Sequence, residues 1–298
     1  MPTLPPHDVF YWKPMAPEGR KAVTEAAMVA YPALKTPREA QDFLSRVVVP
    51  ASFRWAYILN GKCATSSTLR FLFEMEFGVP LTVALQDDTD LNPDTVAHRL
   101  HRASVLRKLA ELQRGAEVLP GALRLSTVRH PATRALSAFF YLCTTQDRAH
   151  PFMAEDRIRM NAIVGFDWTA DSRTAPGFVK FLRYIDHGLR HNQHMQVNPH
   201  WRPQVTNTRP DAFQPDLIGK VEDLASFYRA VAARLDRPLP PGWREPHTNA
   251  QPPRDVTAFD TPESCTLIAR IYADDFAAFG YDVGALPPVA KGVNHGHL

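Results

Sequence analysis

The sequence predicts an α/β fold built on a mainly parallel central sheet flanked by helices. Short apolar runs alternate along the chain with stretches of helical apolar spacing, the pattern of strands joined through crossover helices. The run Trp55, Tyr57, Ile58, Leu59 is of the kind that fills the centre of a parallel sheet. With 298 residues and 45% hydrophobic content, the chain can bury a sizeable core. We read residues 1–50 as an N-terminal arm with helices packed on the body, and 51–298 as a single domain.

The elements follow in order. Residues 1–20 are proline-rich with scattered aromatics and read as an irregular arm. Helical patterns over 21–48 break at Pro32 and Pro37, the second restarting with Thr36 as its cap and Pro37 at its first position. A strand over 55–60 leads to a helix over 66–77, and Val79 to Leu85 reads as a further strand. Asp87, Asp88, Asp90, Asn92 and Pro93 form a polar turn. From Asp94 to Gln113, apolar residues at Val96, Leu100, Val105, Leu106, Leu109 and Leu112 recur at helical spacing. A strand over 122–128 ends in Arg129-His130-Pro131, and a helix over 132–142 begins directly after it. Residues 143–175 show no clear period, and 178–185 form a short amphipathic helix. The stretch 188–215, rich in His, Asn, Pro and Arg, reads as a functional loop. A strand over 217–221 precedes a helix over 224–235, and 237–257 is a proline-rich surface loop. The last helix is capped near Thr261-Pro262-Glu263 and stops at Gly280.

Composition excludes several classes. A net charge of +3 is too weak to argue for nucleic acid, yet it suits anionic ligands held by guanidinium groups. The three cysteines, Cys63, Cys143 and Cys265, are too widely spaced for a zinc site and odd in number, which favours a reducing compartment. The N-terminus lacks the features of a signal peptide, and no apolar run is long enough for a transmembrane segment. The expectation is a soluble, cytoplasmic protein.

Two motifs carry chemistry. In the first, Gly61 permits a sharp turn after the strand and Lys62 follows it. Cys63, Ala64, Thr65, Ser66, Ser67 and Thr68 are then small or hydroxylated, so backbone N–H groups can approach a ligand at a helix N-terminus. Thr65 or Ser66 could cap that helix. The lysine opens the loop rather than closing it, so this is not a Walker A sequence. An ordinary strand–loop–helix joint with capping hydroxyls would read the same way. In the second, TVRHPATRALSAFF over 127–140, Arg129 stands at the carboxyl end of a strand, where open α/β sheets bind ligands. Ser137 follows about two turns into the helix, and Arg134 lies between them. Arginine with a hydroxyl can clamp a phosphate, although a surface arginine beside a tolerated helical serine is the plainer alternative.

Together the two motifs resemble the sulfotransferases that use 3′-phosphoadenosine 5′-phosphosulfate (PAPS). Lys62 to Thr68 resembles their 5′-phosphosulfate loop, and Arg129 to Ser137 their 3′-phosphate site. Asn198 to Gln204 (NPHWRPQ), Ile218 to Glu222 (IGKVE) and Tyr272 to Tyr281 (YADDFAAFGY) are similar to the carbohydrate branch, the chondroitin and HNK-1 type enzymes. His130 departs from the usual acidic residue, the loop reads CATSS, and the cysteine pairs and membrane anchor of Golgi members are missing, which points to a soluble bacterial-like member.

The resemblance implies a P-loop-NTPase-like three-layer fold and in-line sulfuryl transfer from PAPS, as co-substrate, to a hydroxyl of a carbohydrate or glycolipid, without a metal. It implies that Lys62 stabilises charge on the leaving phosphate, residues 63–68 hold the 5′-phosphate, and Arg129 and Ser137 hold the 3′-phosphate. A general base is also needed, and histidine suits that task near neutral pH. Candidates are His98, His101, His130, His187, His191, His194 and His200, of which His101 resembles the branch's histidine most closely, with His98 one turn earlier on the same helix face. His200, Trp201 and Arg202 could contact the acceptor sugar, or serve packing instead. Glu222 suits a structural role, and the motif does not supply the dedicated partner that a catalytic thiol at Cys63 would need. A nucleotide-dependent kinase of related fold and a non-catalytic nucleotide-binding protein are the alternative readings.

Overall fold

The computed structural model describes residues 15–83, 85, 96–191, 195–240, 243 and 257–284. The arm over 1–14, the Asp87–Pro93 turn, His194 and most of the 237–257 loop lie outside the described residues. In chain order the elements are α1 (Pro17–Ala30), α2 (Pro37–Arg46), β1 (Val47–Val49), β2 (Trp55–Ile58), α3 (Thr65–Phe77), α4 (Val96–Arg99), β3 (Arg107–Lys108) and β4 (Leu123–Val128). There follow α5 (Pro131–Asp147), α6 (Ala154–Val164), α7 (Ala175–Arg190), α8 (Gln204–Thr208), α9 (Pro210–Phe213), β5 (Leu217–Lys220), α10 (Leu224–Arg234), α11 (Pro262–Ile271) and α12 (Ala273–Phe279).

The chain divides into two compact units, Met1–Arg129 with His194–Glu245, and His130–Gln193 with Pro246–Leu298. The first carries a five-stranded sheet in the order β3-β1-β2-β4-β5. β4 runs parallel to β2 and to β5, whereas β1 pairs antiparallel with both β2 and β3. The sheet is therefore mixed rather than mainly parallel. The cause is Val47-Val48-Val49, wholly buried residues that leave α2 directly as a strand and return against β2. A β-branched triplet favours the pleated surface over another helical turn.

Side-chain alternation sorts the core of this unit. Trp55, Tyr57 and Leu125 pack with Leu69, Leu72 and Met75 of α3 and Phe227, Tyr228 and Val231 of α10. Ala56 and Ile58 turn the other way, toward Val23 and Ala27 of α1 and Phe43 and Leu44 of α2. The sheet is covered on both faces, which explains the continuous apolar run of β2. Thr36 caps α2 as expected, accepting the Glu39 N–H at 3.2 Å.

Other expectations fail for local reasons. Residues 79–83 form no strand, and Val79 and Val83 are exposed. In place of a long helix over 94–113, the described residues show one turn of helix and then a chain reversal at Ser104, whose φ of 56° is left-handed. The final helix is interrupted at Tyr272 (φ −113°) and ends at Gly280 in the left-handed region.

The second unit is helical. Phe139 of α5 meets Phe166, Phe178, Phe181 and Phe259 at ring centroid distances of 5.5 to 6.5 Å. Arg270 of α11 pairs with Asp186 of α7, and Tyr184 of α7 donates to the Asp156 carboxylate of α6.

Candidate active site

β2 ends at Ile58, and the next residues form a tight loop into α3. Lys62 and Ala64 both adopt left-handed backbone, with φ of 65° and 56°, on either side of buried Cys63. Such conformations at non-glycine residues cost on the order of 1 kcal/mol each and persist only where surrounding structure fixes them. The two left-handed residues turn the chain sharply from β2 into α3, with the Cys63 N–H between them bonded to the Asn60 carbonyl at 3.3 Å. Ala64 takes the N-cap position of α3, and no side chain caps it. Thr65 is not the cap, since its hydroxyl turns back to donate to the Asn60 carbonyl at 2.6 Å. The first-turn amides of a 13-residue helix are thereby left to other acceptors.

Several groups fix this shape. Gly61 lies against the loop before α8: a Cβ there would come within 3.2 Å of both the His200 Cα and the Pro199 carbonyl oxygen. The Thr127 hydroxyl on β4 donates to the Cys63 carbonyl at 2.8 Å and lies 2.6 Å from the Tyr57 hydroxyl. Burial pushes the Tyr57 phenol up to about 12, so it stays protonated. Thr68 is buried, 3.1 Å from the Tyr228 hydroxyl. Within the expected 5′-phosphate set, Cys63 and Thr68 thus point into the protein, while Lys62, Ala64, Thr65, Ser66 and Ser67 are partly exposed.

Arg129 follows β4 and is partly exposed. Its backbone is held by a side chain: Gln204, wholly buried, accepts the Arg129 N–H through Oε1 at 2.9 Å and donates from Nε2 to the Arg129 carbonyl at 2.8 Å. The same Oε1 accepts from Asn60 Nδ2 at 3.2 Å and from Cys63 Sγ at 3.1 Å. Gln204 therefore joins the Lys62 loop to the Arg129 strand end. Behind it, Asn207 donates to the Asn60 amide oxygen at 3.0 Å and accepts from Arg202 Nε at 2.6 Å, and Arg202 pairs with Asp42 of α2 at 2.5 Å.

That network reassigns the HWRPQ segment. Trp201 and Arg202 are 0% and 1% exposed, so neither offers a face to an acceptor sugar. They brace the loop instead. His200 is half-buried, its ring Nδ1 2.9 Å from the Asn198 side-chain oxygen.

Two histidines lie near the loop. His98 of α4 is exposed and its Nε2 sits 2.8 Å from the Ser66 hydroxyl. His101 lies beyond the end of α4, half-buried; burial first, then the positive Lys108 and Arg102, lower its pKa to about 4. Both line a cleft of about 70 Å³ with Leu69, Leu100, Leu106 and Lys108.

In the second unit, Ser137 lies on α5, partly exposed. Arg134 is wholly buried, and its charge acts on the buried Tyr272. His130, at the position where an acid was expected, is buried edge-on against Phe276 and Tyr281, with centroids 5.6 and 5.3 Å away. The aromatic pair explains why an acid is not favoured there: a carboxylate would be desolvated beside two rings.

No group of histidines, cysteines and carboxylates suited to a metal occurs among the described residues, and no helix of the described residues is long and apolar enough to cross a membrane. A family model described as "Sulfotransferase family" matches residues 55–282. No curated protein and no solved structure matches the chain.

Proposed function

We propose that this chain, which belongs to the sulfotransferase family, moves the sulfuryl group of PAPS to a hydroxyl of a carbohydrate or glycolipid. In the proposed in-line step the acceptor oxygen bonds to sulfur, and the bond from sulfur to the bridging phosphate oxygen breaks. 3′-Phosphoadenosine 5′-phosphate leaves, and the acceptor's proton passes to a histidine. Lys62 stabilises the charge gathering on the leaving phosphate, helped by the amides of residues 64–67. The 3′-phosphate falls to Arg129, and the motif adds Ser137. The chemistry asks for position and charge rather than a metal.

The observation that carries this reading is the 2.8 Å approach of His98 Nε2 to the Ser66 hydroxyl. It brings an imidazole to the lip of the loop, and we assign the base to His98 ahead of His101. The left-handed pair Lys62 and Ala64 and the side-chain-free N-terminus of α3 support an anionic donor at the same place.

The test is incubation with labelled PAPS and a panel of cell-surface glycans. Label transfer to a glycan that Lys62→Ala abolishes supports the reading. Tight binding of 3′-phosphoadenosine 5′-phosphate without transfer to any acceptor indicates a non-catalytic binding protein, and magnesium-dependent ATP turnover indicates a kinase.

A further inference from the structure

We infer that Gln204 is a positioning residue that sets the relation between the Lys62 loop and the Arg129 backbone, so that the two anion grips are not independent. This rests on the function proposed above for its consequence, though not for its geometry.

Four hydrogen bonds converge on one buried amide, and they run to both grips. Its carboxamide pairs with the Arg129 N–H and carbonyl as a neighbouring strand would, at 2.9 and 2.8 Å. Its oxygen also takes donors from Asn60 and Cys63, the residues around Lys62. The amide orientation follows from the set, since only Oε1 can accept from three donors and only Nε2 can give to a carbonyl. With Gln204 wholly buried, water has little access to replace a lost bond. A shift at Arg129 is therefore passed to the Lys62 loop through this one amide, beside the bonds that Thr127, two residues earlier on β4, makes to Asn60 and Cys63. The parallel pairing of β2 with β4 runs only as far as Ile58 and Ser126, short of both grips, so the side chain supplies what the sheet does not.

Gln204→Leu keeps the bulk and removes all four bonds. Amide hydrogen exchange in the full chain should quicken in peptides covering 61–64 and 129, and stay unchanged across β5. Quickening everywhere, at one of the two segments only, or at neither, overturns the inference. In parallel, 3′-phosphoadenosine 5′-phosphate affinity should fall about 10–100-fold. The losses from Lys62→Ala and Arg129→Ala should not multiply in the wild-type background and should multiply once Gln204→Leu is also present. Equal coupling with and without Gln204→Leu overturns it as well. If Gln204→Leu does not fold, Cys63→Ala and Cys63→Ser replace it: the serine should keep the wild-type exchange at 129 and the alanine should quicken it, and identical behaviour overturns the inference. Wild-type protein that binds no nucleotide defeats the proposed function instead, while the exchange experiment still decides the role of Gln204.

Discussion

The imidazole of His98 and the hydroxyl of Ser66 meet at 2.8 Å, joining the first turn of α3 to the exposed side of the one-turn helix α4, whose Val96 and Ala97 are buried in the core. Under the proposed function this imidazole is the general base. His98→Ala should lower kcat about 10²–10⁴-fold, the usual range for a lost general base, and leave 3′-phosphoadenosine 5′-phosphate binding within a few-fold. Stopped-time PAPS assays with calorimetric binding check this. If His101→Ala produces the loss and His98→Ala does not, the base is His101.

The acid limb of the rate separates the same two residues. His101 stays neutral down to about pH 4, because burial and neighbouring positive charge disfavour its protonated form. A catalytic His101 would hold kcat level until about that pH. A limb centred near the ordinary histidine value of about 6.5 excludes it. Stability moves with the same sign: the unfolded chain takes the proton near 6.5 and the folded chain only near 4, so this residue makes the fold less stable as pH falls across that window. His101→Gln should flatten that part of a pH–Tm curve.

Lys62 combines a charge with an unfavourable backbone. Lys62→Ala should lower turnover about 10²–10³-fold, as for other lost electrostatic donors. Lys62→Gly removes the same charge and also relieves the left-handed φ of 65°. It should therefore be as inactive as the alanine variant yet about 1 kcal/mol more stable in urea unfolding. Equal stability of the two variants would show that the loop carries no strain at this residue.

Arg202 is buried and its charge is met by Asp42, which also binds Arg46. Burial pushes the Asp42 carboxyl up, but the two guanidinium groups outweigh it and hold the group below its ordinary value. The contribution is present above about pH 3.9, the unfolded value, and is lost as pH falls through the lowered folded value. Asp42→Ala leaves a buried cation unmatched and should cost about 3–5 kcal/mol in chemical denaturation. Arg202→Met should cost less when introduced beside Asp42→Asn than alone, a non-additivity that a double-mutant cycle reads directly.

The strand and helix around the loop were legible because their cause is local. Trp55 to Ile58 is an unbroken apolar run, and Thr65 to Phe77 closes on a left-handed Gly78. The strand before Arg129 and the Thr36 cap were legible for the same reason. What sequence reasoning missed has a nonlocal cause. Val47 to Val49 continues the apolar spacing of α2 and becomes a strand only because β2 and β3 pair with it. The helix read over 94–113 rests on true spacing, which Ser104 defeats by turning left-handed. Gln204 gave no local signal, since its partners Asn60, Cys63 and Arg129 lie 75 to 144 residues away. Its only trace was its place at the end of the HWRPQ segment, where the aromatic and the arginine drew the functional reading and proved to be buried.

Gly61 has a consequence for engineering. Because it abuts the backbone of Pro199 and His200, the curvature of residues 60–68 is moulded from outside, and those residues grafted alone onto another strand–helix joint would carry the right side chains in the wrong shape. The transplantable module is discontinuous: 60–68 together with 198–207.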